Sequence, residues 1–134
     1  MQPAPGSVEV YASALLSHVA DSLARAGKDS HVLSRHARFL PDVSRRTESG
    51  TPEIHDAWVD VTVVQAGRAV ILTGGHLTGG HVESPGEHRG GTIVGGESHP
   101  IAIGDLFVIP AGVPHQFQLA RGDSLRYLTI KVAK

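Results

Sequence analysis

After Gly27 the sequence falls into short runs of aliphatic and β-branched residues separated by glycine and proline, and this pattern limits the fold more than any other feature. Runs of this kind predict short strands joined by turns. Two of them, 59–66 and 68–73, are separated only by Gly67, so we expect a hairpin there. The other predicted strands lie in 31–40, where Pro41 ends the run, and in 92–94, Pro100–Ile103, Asp105–Ile109, His115–Leu119 and Ser124–Val132. So many short strands predict an all-β barrel or sandwich.

A single helix is expected ahead of these strands. Its apolar residues recur with helical spacing, at Leu15, Leu16, Val19, Ala20 and Leu23, and a glycine follows as a C-terminal stop. This pattern predicts an amphipathic helix over 11–26. We therefore divide the chain into residues 1–40, which hold the helix and lead-in strands packed on the barrel, and residues 41–134, which form the barrel.

The composition excludes several kinds of function. A chain of 134 residues suffices for one domain, and its formal net charge of −1 comes without a basic stripe. We therefore expect neither nucleic acid nor a membrane surface as a partner. The absence of cysteine rules out thiolate metal sites and a cysteine nucleophile. The sequence shows no membrane span and no signal peptide as written, so a cytoplasmic location is predicted, although a mature periplasmic chain would read the same.

The stretch Gly104–His115, GDLFVIPAGVPH, carries the most specific pattern: Gly, five residues, Pro, one residue, Gly, two residues, His. We interpret it as a turn and a buried strand, followed by a rigid bend formed by Pro110, Gly112 and Pro114. The bend presents His115 at the start of the next strand. A histidine held in this way has few rotamers open to it, which suits a metal ligand or a general base.

This stretch resembles the second motif of the cupin superfamily, whose members are small antiparallel β-barrels with a jelly-roll fold. The first cupin motif is similar to Gly, five residues, His-x-His, three or four residues, Glu, six residues, Gly. Counting back from its last glycine, this chain has Glu53-x-His55-x4-Asp60-x6-Gly67, and Thr47 stands in place of the first glycine. The resemblance covers roughly residues 45–132. It implies an all-β cupin barrel with the N-terminal helix outside it.

The resemblance also implies one divalent metal inside the barrel. Carried over position by position, its ligands would be Glu53, His55, Asp60 and His115. Carboxylate and imidazole groups suit Mn, Fe, Ni or Zn. Glu53 stands where the family has a histidine, which makes it a candidate catalytic base as well as a fourth ligand. Asp60 stands where the family has a glutamate, and its shorter side chain reaches less far into the barrel.

Two kinds of function remain open under this resemblance, because cupins host enzymes and binders on one fold. The first is a metal-dependent enzyme, dioxygenase-, isomerase- or lyase-like, that acts on a small polar molecule. The second is a metal-free barrel that binds or senses a small ligand, or a metal-independent isomerase in which His55 or His115 is the general base. Small cupins often pair their barrels, so a homodimer is expected.

Glycine and histidine are concentrated between the two motifs, in Leu72–Val82, where LTGGH occurs twice. No helical pattern follows Gly80, so a phosphate-binding loop is not favoured. His76 and His81 are five residues apart and would fall on opposite faces of a strand, which does not favour a metal site. We interpret the segment as the exit of a barrel strand into a long loop near the barrel mouth.

Three arginines are open to two interpretations. Arg89, in the predicted loop, could bind a substrate carboxylate bidentately, or it could be a solvated or structural residue. Arg45 and Arg46 lie just before the first motif, and one of them must face the barrel interior if that segment is a strand.

Overall fold

The computed structural model describes residues 6–134, which form one α-helix followed by twelve β-strands. The helix, α1, spans Ser13–Ala26. The strands, in chain order, are β1 (Ser30–Val32), β2 (Phe39–Arg46), β3 (Glu53–His55), β4 (Trp58–Thr73), β5 (His76–Thr78), β6 (His81–Ser84), β7 (Glu87–Arg89), β8 (Thr92–Val94), β9 (Glu97–Ala102), β10 (Leu106–Ile109), β11 (His115–Gln118) and β12 (Leu125–Ala133).

The helix packs its apolar stripe on the outside of the sheet. Its buried residues Ala20 and Leu23 form a cluster with Val43 of β2. It ends at Gly27, whose φ of 65° is left-handed and therefore favours glycine. The predicted helix over 11–26 is confirmed, with its ordered turns beginning at Ser13. No helix within residues 6–134 is long and apolar enough to cross a membrane.

Two antiparallel sheets share β4 and curl around a cavity. The first has the order β1-β2-β12-β4-β10 and uses the N-terminal part of β4. The second has the order β9-β4-β11-β3-β7-β6 and uses the C-terminal part. A curled antiparallel sheet of this kind is a jelly-roll barrel, so the predicted all-β class with one N-terminal helix is confirmed.

The predicted hairpin around Gly67 is wrong, because β4 runs through that glycine as one strand. Gly67 has a φ of 79°, and a Cβ there would lie 1.9 Å from the carbonyl oxygen of Ser124. The register against β12 shifts between Arg126 and Tyr127, which marks a β-bulge beside it. A bulge bends a strand without reversing it, so β4 passes from the first sheet into the second.

Pro41 lies inside β2, whereas the sequence predicted that a strand ends before it. Its carbonyl oxygen accepts a hydrogen bond from the N–H of Leu33 at 2.8 Å. Its nitrogen faces the same side of the strand, where β1 has already ended at Val32. The proline therefore cannot donate the reciprocal bond to the Leu33 carbonyl, and it is tolerated because it lies where the pairing with β1 ends. The division of the chain at residues 40 and 41 stays a prediction.

The glycine-rich segment between the motifs is a ribbon of paired strands rather than the predicted loop. β5 pairs with β8 and β6 pairs with β7, and a Gly-Gly step on each strand separates the two pairs. At these steps the two backbones approach closely. A Cβ on Gly75 would lie 2.3 Å from the carbonyl oxygen of Val94, and a Cβ on Gly91 would lie 2.4 Å from that of Thr78. The repeated LTGGH therefore supplies corners of the ribbon, and the predicted strand at 92–94 is confirmed as β8.

The side chains that point into the barrel fall into an apolar group and a polar group. The main apolar cluster comprises Val64, Ala69, Ile71, Ile101, Ile109, Phe117, Leu125 and Tyr127. The buried polar residues of the barrel strands are Asp42, Ser44, His55, Asp60, Thr62, His115 and Thr129. Burying so many polar groups is costly unless they are paired or serve a ligand, so the polar part marks the candidate site.

Gly91→Ala is expected to lower the free energy of unfolding by about 2–4 kcal/mol, because it adds a collision with the Thr78 carbonyl to an unfavourable φ of 77°. The matched control is Gly122→Ala, where φ is 85° and no atom lies within 4 Å of the added Cβ. The control should cost only about 1 kcal/mol. Urea unfolding measures both losses, and equal losses would contradict the close approach of the ribbon backbones.

Candidate metal centre

The pairing of β3 with β11 brings the two sequence motifs together. His115 is the first residue of β11 and lies directly opposite Glu53, the first residue of β3. His55 follows two residues later on the same face of β3. The bend before His115 is tied to β3, because the N–H of Gly112 donates to the carbonyl oxygen of His55 at 2.9 Å.

Glu53, His55 and His115 form a cluster whose candidate ligand atoms all lie within 4.8 Å of one another. Oε2 of Glu53 is 3.3 Å from Nε2 of His55 and 3.6 Å from Nε2 of His115. The centroids of the two imidazole rings are 5.0 Å apart. Both histidines are buried and the carboxylate is nearly so. A buried group of two imidazoles and a carboxylate could bind a metal ion.

Both imidazoles are oriented by a hydrogen bond at Nδ1. In His55 this atom lies 2.8 Å from Oε1 of Glu87, and in His115 it lies 3.0 Å from the carbonyl oxygen of Val113. These partners accept hydrogen bonds from Nδ1, so Nε2 is the nitrogen of each ring that faces the cluster, where it can donate to Glu53 or bind a metal ion. A carboxylate behind a histidine is the usual outer support of a metal-binding imidazole.

Asp60 joins the cluster from β4. Its Oδ2 is 3.5 Å from Nε2 of His55 and 4.0 Å from Nε2 of His115. Its other oxygen, Oδ1, accepts a hydrogen bond from Nζ of Lys131 at 2.8 Å. The four residues carried over from the cupin motifs are thus close together, and Asp60 has one oxygen already engaged by the chain.

Arg89 of β7 bridges Glu53 and Glu83 through ion pairs. Burial alone raises the pKa of Glu53, but hydrogen bonds with His115 and His55 and the charge of Arg89 outweigh burial and hold that pKa below its usual range. Glu53 is therefore ionised in this setting. Arg89 is a candidate for substrate binding from the sequence, and in the structure its guanidinium lines the cavity while engaged by these two carboxylates.

The pKa of His55 responds to opposing influences. Burial lowers it, and so does the charge of Lys131, but the hydrogen bond with Glu53 and the charges of Asp60 and Glu87 raise it more. The net result is a pKa above the ordinary value for histidine. The same carboxylates would stabilise any other cation at this place, including a metal ion.

The cluster opens onto a cavity of about 510 Å³ inside the barrel. Hydroxyl groups contributed by Ser44, Thr62 and Thr129 line its wall, together with Tyr127. A volume of this size accommodates a small molecule. His76 and His81, by contrast, lie exposed on the ribbon and take no part in the cluster.

Sequence motifs did not identify Glu87 or Lys131 as residues of the site. Glu87 lies in the site because the hairpin formed by β6 and β7 pairs with β3, and this pairing places Glu87 opposite His55. Lys131 shares the inward face of β12 with Tyr127 and Thr129. The alternation of polar with apolar residues in β12 was a usable signal for Lys131. No spacing rule linked Glu87 to His55.

The structure resembles solved cupin structures whose sequences are distant from it. A polyketide cyclase from Streptomyces resistomycificus is 18% identical over 78% of this chain and 64% of its own, with a TM-score of 0.54. DMSP lyase from Ruegeria pomeroyi is 15% identical over 77% of this chain and 45% of its own, with a TM-score of 0.55. A cupin 2 conserved barrel domain protein from Rhodopseudomonas palustris is 23% identical over 78% of this chain and 60% of its own, with a TM-score of 0.54.

In each of these three comparisons the chain spans less than two thirds of the matched structure. No protein-family model matches the sequence, and no curated protein matches it. The fold defines a small jelly-roll barrel of the cupin class. These structures are 14–23% identical to this chain, so the likeness shows the fold that the two sequence motifs indicated and extends no further.

Asp42 is a buried carboxylate in the same cavity, and its only hydrogen-bond donor among the described side chains is Ser44, whose Oγ lies 3.1 Å from Oδ1. Burial raises the pKa of Asp42 from its ordinary value of 3.8 to about 6, while Ser44 and the charge of Lys131 act in the opposite direction. A carboxyl group with a raised pKa binds its proton more tightly in the folded chain than in the unfolded chain.

Asp42→Asn is therefore expected to flatten the pH dependence of stability in the metal-free protein. In the parent, the contribution of Asp42 is complete below about pH 4 and is lost as the pH rises through about 6, a change of roughly 3 kcal/mol. Ser44→Ala, which removes the hydrogen bond to the carboxylate, should extend this loss to higher pH. Urea unfolding between pH 4 and 7 measures the slope, and an Asp42→Asn slope equal to that of the parent would contradict the account.

Proposed function

We propose that His55, His115, Asp60 and Glu53 hold one divalent metal and that the protein acts on a small polar molecule in the cavity. The observation that carries this proposal is the orientation of the two imidazoles. Each has its Nδ1 hydrogen-bonded away from the cluster and its Nε2 facing the carboxylates. Mn, Fe, Ni and Zn all suit this mixed nitrogen and oxygen donor set.

A divalent metal at this place supplies a Lewis acid that can polarise an oxygen of the bound molecule. His55, His115 and Asp60 would be its ligands. Glu53 would be either the fourth ligand or the group that takes up a proton from the bound molecule. Its carboxylate is ionised, as both roles require, but its lowered pKa makes it a weak base and so favours the ligand role. Arg89 would hold Glu53 in place and keep it charged, and its exposed edge could also contact a substrate carboxylate.

The class of reaction remains open among dioxygenase-, isomerase- and lyase-like chemistry. The structural neighbours include a polyketide cyclase and a DMSP lyase. At identities of 18% and 15% this likeness extends to the fold alone. The cytoplasmic location stays a prediction from the sequence.

A second function is favoured by the cations around the cluster. Arg89 pairs with Glu53, and Lys131 pairs with Asp60, so both carboxylates already have positive partners from the chain itself. The same residues could then bind a ligand directly in a metal-free barrel, as a sensor or as a metal-independent isomerase with His55 or His115 as its base. This alternative predicts that ligand binding or turnover survives a chelator.

Reconstitution of the chelator-treated protein with Mn, Fe, Ni or Zn is expected to load about one equivalent of at least one of these metals. His115→Ala removes an inward Nε2 and should reduce the bound metal to less than about a tenth of an equivalent. The matched control is His76→Ala, since His76 is exposed on β5 outside the cluster. Elemental analysis measures all three proteins. A parent that loads less than about a tenth of an equivalent of every metal would exclude the metal-dependent function.

We also propose that two copies of the chain associate through the outer face of the first sheet. Leu106 and Val108 of β10 share this face with Ile130 and Val132 of β12, and all four are exposed. They lie on either side of the central strand β4, so they form a continuous apolar surface next to the edge strand β10. Continuous exposed apolar surfaces of this kind usually mark interfaces, and a partner would also cover the open edge.

Val108→Lys is expected to convert a dimer into a monomer, because it places a charge in the middle of the apolar face. Val82→Lys is the control, since Val82 is also exposed but lies on β6 of the ribbon. Size-exclusion chromatography with light scattering gives the mass of each protein. A monomeric parent, or a Val108→Lys variant that stays dimeric, would overturn this interface.

A further inference from the structure

We propose that the small molecule bound in the cavity carries a carboxylate and that Arg46 is the residue that binds it. This inference rests on the proposed function, since it names the chemical class of the ligand for the same cavity. Arg46 is the last residue of β2 and lines the cavity together with Glu53, His55 and His115. Of the two adjacent arginines, Arg45 and Arg46, Arg46 is therefore the one that faces the interior.

The alternation of β2 separates Arg46 from its neighbour. Asp42, Ser44 and Arg46 line the cavity, whereas Arg45 turns away from it, with its Nη1 donating to the carbonyl oxygen of Lys28 at 3.0 Å. Adjacent residues of a strand point to opposite faces, so the two arginines differ in surroundings but not in chemistry.

Arg46 is held in place by aromatic neighbours rather than by an acid. Its Nε donates to Oη of Tyr127 at 3.1 Å, and its guanidinium carbon lies 5.0 Å from the centroid of the Phe117 ring. The Phe117 and Tyr127 rings are stacked, with centroids 4.9 Å apart. Gly50 leaves space for the guanidinium, because a Cβ there would lie 2.5 Å from Nη1. The group is therefore fixed in position, which reduces the entropy that binding an anion would cost.

Arg46 differs from the other inward cations in its lack of an acidic partner. Arg89 is paired with Glu53 and Glu83, and Lys131 with Asp60. Across residues 6–134 no carboxylate lies within ion-pair distance of Arg46, and no hydrogen bond within that part of the chain uses its Nη1 or Nη2. These two nitrogens form the end of the planar fork that binds a carboxylate bidentately.

The charge balance of the cavity fits a single negative charge on the ligand. The buried or half-buried charged residues that line it are Asp42, Glu53, Asp60 and Glu87 on one side and Arg46, Arg89 and Lys131 on the other. With His55 and His115 neutral, as metal ligands are, four acids against three bases leave one negative charge, and a divalent metal would turn that into one positive charge. A monocarboxylate would then neutralise the cavity, whereas a neutral ligand would leave an unpaired charge, which is costly in a buried setting.

The test uses protein in which the arginine residues carry ¹⁵N. This protein is titrated with small carboxylates, and NMR follows the resonances of the arginine Nε–H groups. Lactate, 3-hydroxybutyrate and levulinate are the probes, each compared with its amide, at concentrations up to about 20 mM so that binding as weak as about 1 mM is detected. The three acids should shift the Nε–H resonance of Arg46, and the amides should not. The titration is made on metal-free and on zinc-loaded protein, and the acids should bind the zinc-loaded form more tightly, because the metal removes the net negative charge of the cavity.

Two variants separate the role of Arg46 from that of its neighbours. Arg46→Gln should weaken binding of the acids by about 10- to 100-fold while the zinc content stays that of the parent. Arg45→Gln, the matched control on the opposite face, should bind them like the parent. The ligand proposal is overturned if no acid shifts the Arg46 resonance in either form of the parent, if the amides bind equally well, or if Arg46→Gln binds the acids unchanged. Failure of zinc loading with intact acid binding would instead count against the metal alone.

Discussion

The antiparallel pairing of β3 with β11 is the interaction on which the site depends. It places His115 directly opposite Glu53 and fixes His55 on the same face. The hydrogen bond from Gly112 to the carbonyl of His55 ties the preceding bend to the same strand. Since these contacts are made by the backbone, they position the cluster regardless of which side chains occupy it. This explains how a glutamate can stand where the first cupin motif has a histidine and still face the interior.

The glycine-rich ribbon contributes to the site indirectly. Its corners bend because Gly75 and Gly91 allow backbone approaches that a Cβ would block. The bent ribbon returns β7 to the edge of β3, where Glu87 supports His55 and Arg89 pairs with Glu53. The density of glycine in this segment is thus a matter of chain geometry, and the chemistry comes from Glu87 and Arg89 on β7.

Much of the fold and part of the site could be predicted from the sequence. The helix, the all-β class and the four clustered residues followed from periodicity and from two spaced motifs. The hairpin at Gly67 could not be excluded, because a glycine with positive φ serves equally in a turn and in a bulge. Glu87 was missed because its position depends on the pairing of β7 with β3, which joins residues 32 positions apart. Local patterns carry no information about such long-range pairing.

The polar residues of the interior follow from the alternation of side chains along the strands, which the two motifs do not describe. β2 and β12 alternate polar with apolar residues, and their polar sides, with Asp42, Arg46 and Lys131, lie next to each other on the inner face of the first sheet and line the cavity. A barrel whose strands are apolar on the outside and polar within must pack its outer face against something. The helix covers part of that face, around Val43 and Leu128, and the exposed part continues on β10.

X-ray absorption spectroscopy of the zinc-loaded protein tests the central claim most directly, because it counts the imidazole ligands of the bound ion. The account predicts two histidine nitrogens at about 2.0–2.1 Å and carboxylate oxygens at about 2.0–2.2 Å. His55→Ala should reduce the signal to one histidine, and His81→Ala should leave it unchanged. A parent spectrum with fewer than two imidazole ligands, or with ligation that His81→Ala alters, would contradict a metal centre built on His55 and His115.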